Sequence, residues 1–273
     1  VPGSGCVTER ADAAFLASHG WSGFFASQVE RSEAGLVPMR IAEVHRARVS
    51  ALSAAGPVRL TLAHKTNTAD FAVGDWILAD PRTHLLMRRL ERQTLLQRRV
   101  EGRNALQLAA ANVDTLFIVT SCNADFNPAR LERYLALANQ AGTHPVMVLT
   151  KADTIDDASP FEQQAKSLQR DLDVVIVNGR SADAAGLLAP WCGAGQTVAL
   201  VGSSGVGKST LVNTLAGLSH EAAQETGDIR ESDAKGRHTT TARSLHAIAG
   251  GGWVIDTPGM RTLHVSDVSD GID

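Results

Sequence analysis

The hydrophobic and polar positions along the chain follow two different patterns, which change at about residue 110. In the first part, short apolar runs are separated by turn residues such as Gly56-Pro57 and Asp80-Pro81. About five short strands within roughly 60 residues are typical of a small all-β barrel. An OB-like barrel fits this count, although the periodicity alone leaves an SH3-like barrel open. The apolar runs that predict these strands are 37–52, 58–63, 75–79 and 85–90.

The second part of the chain alternates apolar runs with stretches of helical period. Asn127-Pro128 and Ser159-Pro160 are helix start signals, because Asn and Ser cap a helix and Pro is tolerated in its first turn. Strands that alternate with helices predict a doubly wound, mostly parallel α/β sheet over 106–273. The OB-like barrel, with a short N-terminal extension, would precede it over 1–105. The predicted strands of the second part are 115–120, 146–149, 174–177, 198–201, 244–248 and 253–255.

A glycine-rich loop lies between the apolar run 198–201 and a helical stretch. It reads GSSGVGKST, which matches the phosphate-binding pattern GxxxxGKS in the required setting of strand, loop and helix. Its backbone N–H groups and the helix N-terminus would hold a polyphosphate. Lys208 is expected to reach the β- and γ-phosphates, and the Ser209 hydroxyl to coordinate Mg²⁺. The predicted nucleotide-binding residues of this loop are Gly202, Ser203, Ser204, Gly205, Val206, Gly207, Lys208, Ser209 and Thr210.

A second motif indicates which base is bound. Residues 150–153 read TKAD at the end of a predicted strand and match NKxD with Thr in place of Asn. The Asp153 carboxylate can accept hydrogen bonds from N1–H and the 2-amino group of guanine, so it favours GTP over ATP. The Lys151 stem can cover the base, and the shorter Thr150 side chain predicts a weaker tether to the phosphate loop. The residues expected near the base are Thr150, Lys151, Ala152 and Asp153, with either Asn178 and Gly179 or Ser181 and Ala182.

Two further motifs are typical of the GTPase form of this fold. Residues 256–259 read DTPG after the strand 253–255, and they match DxxG, in which the Asp holds Mg²⁺ and Gly259 meets the γ-phosphate. Upstream of them, GRHTTT supplies a Thr hydroxyl that would complete the Mg²⁺ shell. Thr240 is favoured over its neighbours, so the predicted Mg²⁺ ligands are Ser209, Thr240 and Asp256. The base motif precedes the phosphate loop, an order that predicts a circularly permuted GTPase domain.

Composition restricts where the protein acts. The chain has 273 residues, 44% of them hydrophobic, and no apolar run long enough to cross a bilayer. Its first residues show no secretory pattern, and its three cysteines are far apart in the chain. We therefore expect a reducing, cytoplasmic location.

Charge is unevenly distributed along the chain. Residues 1–110 hold 14 Lys and Arg against 10 Asp and Glu, whereas the remaining residues are acidic overall. An arginine cluster after the predicted barrel indicates a nucleic-acid contact, and the scarcity of aromatic residues beside it favours contact with phosphates over base stacking. The cluster consists of Arg88, Arg89, Arg92, Arg98, Arg99 and Arg103.

These motifs together resemble the circularly permuted, ribosome small-subunit-dependent GTPases of the RsgA/YjeQ family. The resemblance rests on the TKAD, GSSGVGKST, GRHTTT and DTPGMR segments, on ANVD at 111–114 and on RLERYL at 130–135. It implies an OB-fold, a permuted GTPase domain and a C-terminal zinc domain. It also implies a role in late maturation of the small (30S) ribosomal subunit, which would stimulate hydrolysis. Because no cysteine follows Cys192, we expect zinc only in a C-terminal domain that this chain lacks.

The expected catalytic residues are His238, Lys208 and Thr240. Met260 occupies the place after DxxG where many GTPases carry a Gln that orients water, so we expect slow hydrolysis without an activating partner. His238 is the candidate to position water, and the resemblance implies the same residue. The expected partners are the small ribosomal subunit and its rRNA, with no DNA and no membrane, and the chain is expected to be monomeric.

Two other functions stay open on the sequence alone. A P-loop kinase or ATPase would share the phosphate loop, but Asp153 and the DTPG segment disfavour it. A nucleotide-gated rRNA-binding module with negligible turnover would share every motif described above. GTP turnover measured with and without small ribosomal subunits distinguishes this module from an enzyme.

Overall fold

The computed structural model describes residues 12–99, 106–179, 181, 183–217 and 243–256. None of the helices in these ranges combines the length and apolar character needed to cross a lipid bilayer. The helices are α1 (12–18), α2 (Gly23–Ala26), α3 (Pro128–Ala141), α4 (Ser159–Ser167), α5 (Asp183–Leu188) and α6 (Lys208–Leu215). The strands of the first half are β1 (Val37–Val44), β2 (Val49–Ser53), β3 (Gly56–Arg59), β4 (Trp76–Ala79), β5 (Leu86–Arg89), β6 (Leu95–Arg99) and β7 (Leu106–Ala111). Those of the second half are β8 (Thr115–Ser121), β9 (His144–Thr150), β10 (Asp173–Ile176), β11 (Thr197–Val201), β12 (Arg243–Ala247) and β13 (Trp253–Asp256).

The first five strands form the predicted small all-β barrel. β1 pairs antiparallel with both β2 and β4, β2 pairs with β3, and β4 pairs with β5. A parallel bridge between Thr61 and Leu85 then joins the chain after β3 to the start of β5. The alternating inward side chains of these strands, including Ile41, Val49 and Ile77, are fully buried in one core. This ring of pairings is compatible with the OB-like form.

β6 and β7 form a separate two-stranded sheet that was not predicted. They pair antiparallel, with Leu95 opposite Ala111 and Leu96 opposite Ala110. The expected domain boundary between residues 105 and 106 therefore lies within the connection of two paired strands. Leu96 is buried in the same core as α3 and β8, so β6 packs with the second half of the chain although it precedes that boundary.

The second half is a doubly wound α/β sheet, as predicted. β10, β9, β8, β11 and β13 lie side by side in parallel, and β12 joins β13 antiparallel. Every residue of β8 is buried, which is typical of a central strand covered on both faces. Leu116 packs on the side of α3 and α4, and Phe117 packs on the side of α5 and α6. The observed strands agree with the predicted ones to within about two residues at each end.

Helix boundaries follow the local signals with one difference. The Asn127 side chain accepts a hydrogen bond from the Arg130 N–H at 3.0 Å, and α3 ends at Gly142 in the left-handed conformation. Ser159, which was expected to cap α4, is instead its first residue. The Asp157 carboxylate, two residues upstream, reaches this residue and accepts the Ser159 N–H at 2.9 Å.

The two halves share one sheet. Barrel strand β1 pairs antiparallel with β12, with Glu43 opposite Ser244 and Val44 opposite Arg243. The hydrogen-bonded order is thereby β10-β9-β8-β11-β13-β12-β1-β2-β3, with β4 and β5 attached through β1. The barrel is therefore continuous with the edge of the α/β sheet.

Candidate functional site

The phosphate loop leaves β11 and enters α6 through two glycines with positive φ. Gly202 has a φ of 148°, and a Cβ added there would lie 2.1 Å from the Val119 carbonyl oxygen of β8. Only glycine fits at this position, because any side chain would collide with the backbone of the neighbouring strand. Gly207 has a φ of 99° and caps the N-terminus of α6. The loop is thus fixed at both ends, as the sequence pattern requires.

Lys208, the first residue of α6, stabilises the curved loop from inside. Its Nζ donates to the Gly202 carbonyl at 2.7 Å and also to the Ser203 carbonyl. Ser209 follows it in the first turn of the helix and is exposed. At a helix N-terminus, an ammonium group can donate hydrogen bonds to an anion, and a hydroxyl oxygen can bind the cation that accompanies the anion.

The base motif is tied to the phosphate loop by Thr150. Its Oγ1 donates to the Val206 carbonyl at 2.6 Å and lies 3.2 Å from the Thr120 carbonyl of β8. The sequence predicted a weaker tether because Thr is shorter than Asn. The structure corrects the premise about reach, because the shorter Thr150 side chain bonds directly to the loop carbonyl of Val206.

The turn that carries Asp153 is closed by Thr154, a residue that the sequence analysis did not single out. Lys151 has a φ of 58°, an uncommon conformation for a residue with a side chain. The 3-10 turn Ala152–Thr154 follows it, and the Thr154 hydroxyl donates to the Lys151 carbonyl at 2.7 Å. A hydroxyl directly after the base motif was the available signal, since Ser and Thr often close turns in this way.

A cleft of about 360 Å³ brings the predicted base and phosphate residues together. Asn178 and Gly179 reach it from the end of β10, which favours them over Ser181 and Ala182 for the second base contact. Ser181 is instead engaged with Asp183, whose N–H donates to the Ser181 hydroxyl at 3.2 Å, and Ala182 lies outside the described residues. The cleft is lined by Thr150, Lys151, Asp153, Thr154, Asn178, Gly179, Gly205, Val206, Gly207 and Thr210.

Asp256 lies at the same end of the sheet as the phosphate loop. It is the last residue of β13, which runs parallel to β11 with Ala199 opposite Ile255. Because carboxyl ends of parallel strands meet at one edge, its backbone is next to the strand that leads into Gly202. The remaining predicted residues, His238, Thr239, Thr240, Thr241, Gly259 and Met260, lie outside the described residues.

The arginine cluster after the barrel is partly used inside the protein. Arg88 donates to the Glu33 carboxylate at 2.6 and 2.7 Å, and this bond lowers the pKa of Glu33. Arg92 donates to both oxygens of the buried Asp75 carboxylate at 2.6 and 2.7 Å. These bidentate pairs with carboxylates disfavour the two residues as phosphate contacts.

Comparison with known proteins agrees with this geometry. The family model described as RsgA GTPase matches residues 89–266, which include the base motif, the phosphate loop and the DxxG segment. The chain belongs to the RsgA GTPase family.

Relatives within the RsgA family extend the match to the barrel. The chain is 69% identical over 258 residues to the small ribosomal subunit biogenesis GTPase RsgA of Mesorhizobium japonicum, covering 94% of this chain and 75% of that one. It is 47% identical to small ribosomal subunit biogenesis GTPase RsgA 2 of Vibrio vulnificus, with coverages of 94% and 72%.

Two crystal structures share the fold. YjeQ from Thermotoga maritima has a TM-score of 0.62 at 22% identity, covering 84% of this chain and 76% of that one. YloQ, described as a circularly permuted GTPase, has a TM-score of 0.58 at 21% identity, with coverages of 88% and 77%. The permuted α/β fold predicted from the motif order is thus confirmed.

Proposed function

We propose that this chain is a Mg²⁺-dependent GTP hydrolase that acts in biogenesis of the small ribosomal subunit. The observation that carries the proposal is the cleft in which Asp153 and the phosphate loop meet. The RsgA relatives described above are named for GTPase activity in this process. The permuted family fold supports the same assignment.

Guanine would be recognised at the Asp153 end of the cleft. The Asp153 carboxylate would accept from N1–H and the 2-amino group, while a backbone N–H of the Asn178-Gly179 segment would donate to O6. The aliphatic stem of Lys151 would cover one face of the base. Ala152 contributes through the turn that holds the carboxylate in place.

The phosphates would lie against the loop and the N-terminus of α6. Lys208 would exchange its bonds to the loop carbonyls for the β- and γ-phosphates. Ser209 and Asp256 supply the hard oxygen atoms that Mg²⁺ prefers, and the fold brings their elements to one edge of the sheet. When bound, Mg²⁺ would neutralise phosphate charge, and Thr240 would complete its ligand set. Gly259 would donate its N–H to the γ-phosphate.

Hydrolysis would need help from a partner. Met260 cannot orient water as a Gln would, and His238 is the side chain that we assign to this role. We expect that His238→Ala lowers the rate stimulated by small subunits while GDP affinity is retained. An unchanged stimulated rate in this variant would overturn the assignment.

RNA contact is supported by a basic rim on the barrel, defined as Arg46, Arg48, Arg59, His64 and Lys65. All five side chains are exposed. The turn that carries Arg46 is joined to the segment after Lys65 by the Thr68 hydroxyl, which donates to the Arg46 carbonyl at 2.9 Å. Ser50 lies opposite Arg59, so Arg59 lies on the outer face of β3, and Arg48 precedes β2 in the alternation of that same face. Arginines on one outer face suit an RNA phosphate backbone.

The other parts of this assignment follow from the proposed partner. We infer a cytoplasmic monomer that binds the small subunit through rRNA rather than DNA. Analytical ultracentrifugation of the free chain and gel-shift assays with 16S-type RNA and duplex DNA of equal length test these points. A dimer at micromolar concentration, or equal affinity for both nucleic acids, would contradict them.

The base assignment is tested by Asp153→Asn. Xanthine carries an oxygen where guanine has the 2-amino group, and an Asn amide can donate to that oxygen. We expect GTP affinity to fall at least about tenfold and XTP affinity to rise. Asp156→Asn on the neighbouring loop is the matched control. If wild type prefers ATP over GTP, the kinase or ATPase interpretation replaces this one.

The enzymatic role is tested by GTP turnover with and without small ribosomal subunits. Stimulation by the subunits supports the proposal. A rate that is negligible and unchanged by them favours the nucleotide-gated RNA-binding module.

A further inference from the structure

Barrel strand β1 belongs to two parts of the molecule at once. Its residues Val37 to Arg40 pair with β4, whereas Glu43 and Val44 pair with β12. A bulge between Ile41 and Glu43 marks the change on the β2 side. Bulges bend a strand and redirect its side chains. Arg40, just before the bulge, thereby enters the space between the barrel and the α/β sheet.

Arg40 is fully buried and is held by neutral acceptors from four separate segments, of which the Gly74 carbonyl accepts from Nε at 3.5 Å. Its Nη1 donates to the His19 carbonyl at 2.6 Å, and its Nη2 donates to the Thr197 hydroxyl at 2.8 Å and the Asn112 carbonyl at 3.2 Å. The guanidinium also lies 5.9 Å from the centre of the Trp76 ring. A buried arginine without a contacting carboxylate is costly unless its donors are satisfied in this way.

Burial lowers the pKa of Arg40 to about 10. At neutral pH the guanidinium therefore stays protonated, and all its donors remain available. The Asp114 and Asp75 carboxylates attract it from a longer range.

One acceptor of Arg40 belongs to a strand that carries the nucleotide site. Thr197 is the first residue of β11, which leads directly into the phosphate loop, and its N–H donates to the Asp114 carboxylate at 2.7 Å. Trp253, the first residue of β13, donates its indole N–H to the Ser18 carbonyl at 2.8 Å and stacks on the His19 ring at 4.4 Å. The barrel side thus holds the amino ends of both strands whose carboxyl ends form the site.

We propose that Arg40 is a positioning residue that joins the nucleotide site to the barrel. Through this residue, nucleotide binding stabilises the barrel strands that carry the basic rim. Nucleotide at the carboxyl ends of β11 and β13 restricts these strands, and Arg40 transmits the restriction to β1, to its partner β2 and through β2 to β3. Because coupling between two sites is reciprocal, a ligand on the rim strengthens nucleotide binding by the same factor. The inference rests on the proposed function for the identity of the two ligands.

A purely stabilising role for Arg40 is the competing explanation, and Arg92 provides the matched control. Arg92 also holds a buried group, because it donates to the Asp75 carboxylate and to the Asp70 carbonyl. These partners all lie within the barrel half of the chain. Arg40→Met and Arg92→Met therefore each remove a guanidinium that donates to several acceptors, but only the first removes contacts that cross to β11.

The test is amide hydrogen exchange of the full chain with and without GDP and Mg²⁺. In wild type we expect GDP to slow exchange at residues 198–215, which contain the phosphate loop, and at residues 49–59 of β2 and β3. The second effect should be about fivefold or more, the lower end of typical coupling between sites. Arg40→Met should keep the protection of 198–215 and lose that of 49–59, while Arg92→Met should keep both.

A milder variant guards against unfolding of Arg40→Met. Thr197→Val keeps the shape of the side chain and removes one acceptor of Arg40, so it should reduce the protection of 49–59 in part. Protection of 49–59 that is equal in wild type, Arg40→Met and Thr197→Val overturns the inference, as does an equal loss in Arg92→Met. If GDP fails to protect 198–215 in wild type, the proposed function itself fails. If GDP slows exchange in wild type only at 198–215, the inferred coupling is wrong and the proposed function still stands.

Discussion

Thr150 and Thr154 each use one hydroxyl to hold a backbone carbonyl beside the nucleotide cleft. A hydroxyl has one proton, and the Thr150 Oγ1 lies closer to the Val206 carbonyl than to the Thr120 carbonyl, at 2.6 against 3.2 Å. The donated bond therefore joins the base motif to the phosphate loop. Thr154 fixes the turn in which Lys151 adopts positive φ. Both side chains act on the backbone that surrounds the nucleotide.

Thr150→Val tests the link between the base motif and the phosphate loop. Val keeps the branched shape but leaves the Val206 carbonyl without its donor, which costs about 1–3 kcal/mol when the group is buried. We expect GDP affinity to fall by about tenfold, measured by isothermal titration calorimetry. Thr150→Ser should restore most of the affinity, because it returns the hydroxyl. A Val variant that binds GDP as tightly as wild type would show that the bond is unimportant.

His19 lies between two aromatic rings at the contact of α1 with β13. Its ring is 4.0 Å from Phe15 and 4.4 Å from Trp253, and burial lowers its pKa below the ordinary value of 6.5. The folded protein therefore favours neutral His19. Its contribution to stability is complete above about pH 6.5 and is lost as pH falls toward the lower folded pKa, because the unfolded chain binds the proton first.

His19→Gln is expected to weaken this pH dependence. Urea unfolding at pH 7.5 and pH 5.5 should show a smaller loss of stability at low pH in the variant than in wild type. The exposed His144, which pairs with Asp173, serves as the control position, and His144→Gln should leave the His19 effect in place. Equal pH dependence in wild type and His19→Gln would contradict the assignment.

The sequence predicted the identity of the site residues better than their partners. The loop, the base motif and Asp256 were recognisable because spacing and residue type define them within a few positions. The partners of Arg88 and Arg92 were not, because Glu33 is 55 positions away from Arg88 and Asp75 is 17 positions from Arg92. Local charge counts cannot show that a guanidinium is already satisfied by a distant carboxylate.

At the scale of elements, the phosphate loop depends on the close approach of β11 to β8. The register places Val201 opposite Ile118, so Gly202 begins the loop directly beside Val119. Gly205, at the outer turn of the same loop, also has positive φ but meets no atom within 4 Å of an added Cβ. A side chain at Gly205 would therefore cost only backbone conformation, whereas a side chain at Gly202 would also collide with β8.

Gly202→Ala and Gly205→Ala test this difference in thermal unfolding without nucleotide. Positive φ costs each alanine about 1–2 kcal/mol. The Gly202 variant must also move β8 and β11 apart, so we expect it to lose at least about 2 kcal/mol more than the Gly205 variant. Equal destabilisation by the two substitutions would mean that the loop relaxes without disturbing the strands.

The elements themselves were predictable where burial imposed a clear pattern. β8, β9 and β11 are almost entirely buried, and their continuous apolar runs identified them. β6 was missed because its run LLQRR is short and ends in charges, and its pairing with β7 joins residues between 7 and 16 positions apart. Pairing of this kind is decided by packing, since Leu96 is buried against the second half of the chain.

At the scale of the whole molecule, the barrel and the α/β sheet are not independent modules. The pairing of Glu43 with Ser244 joins residues about 200 positions apart, and the Arg40 contact with Thr197 spans a similar distance. No sequence period records such contacts, because each half has a complete pattern of its own. The two halves differ in charge, but charge on the surface says nothing about the buried junction.

Fragments of the chain test where the α/β half begins. Thr94 and Val113 exchange two hydrogen bonds, at 2.7 and 2.8 Å, and Leu96 is buried beside α3. A fragment of residues 106–273 lacks both and leaves β7 unpaired, whereas 94–273 keeps them. We expect 94–273 to be more stable by at least about 2 kcal/mol in urea unfolding with GDP present, because burial of one leucine alone contributes that much. The full chain, in which β1 covers the edge of β12, should be the most stable of the three. Equal stability of the two fragments would place the boundary where the sequence predicted it, between residues 105 and 106.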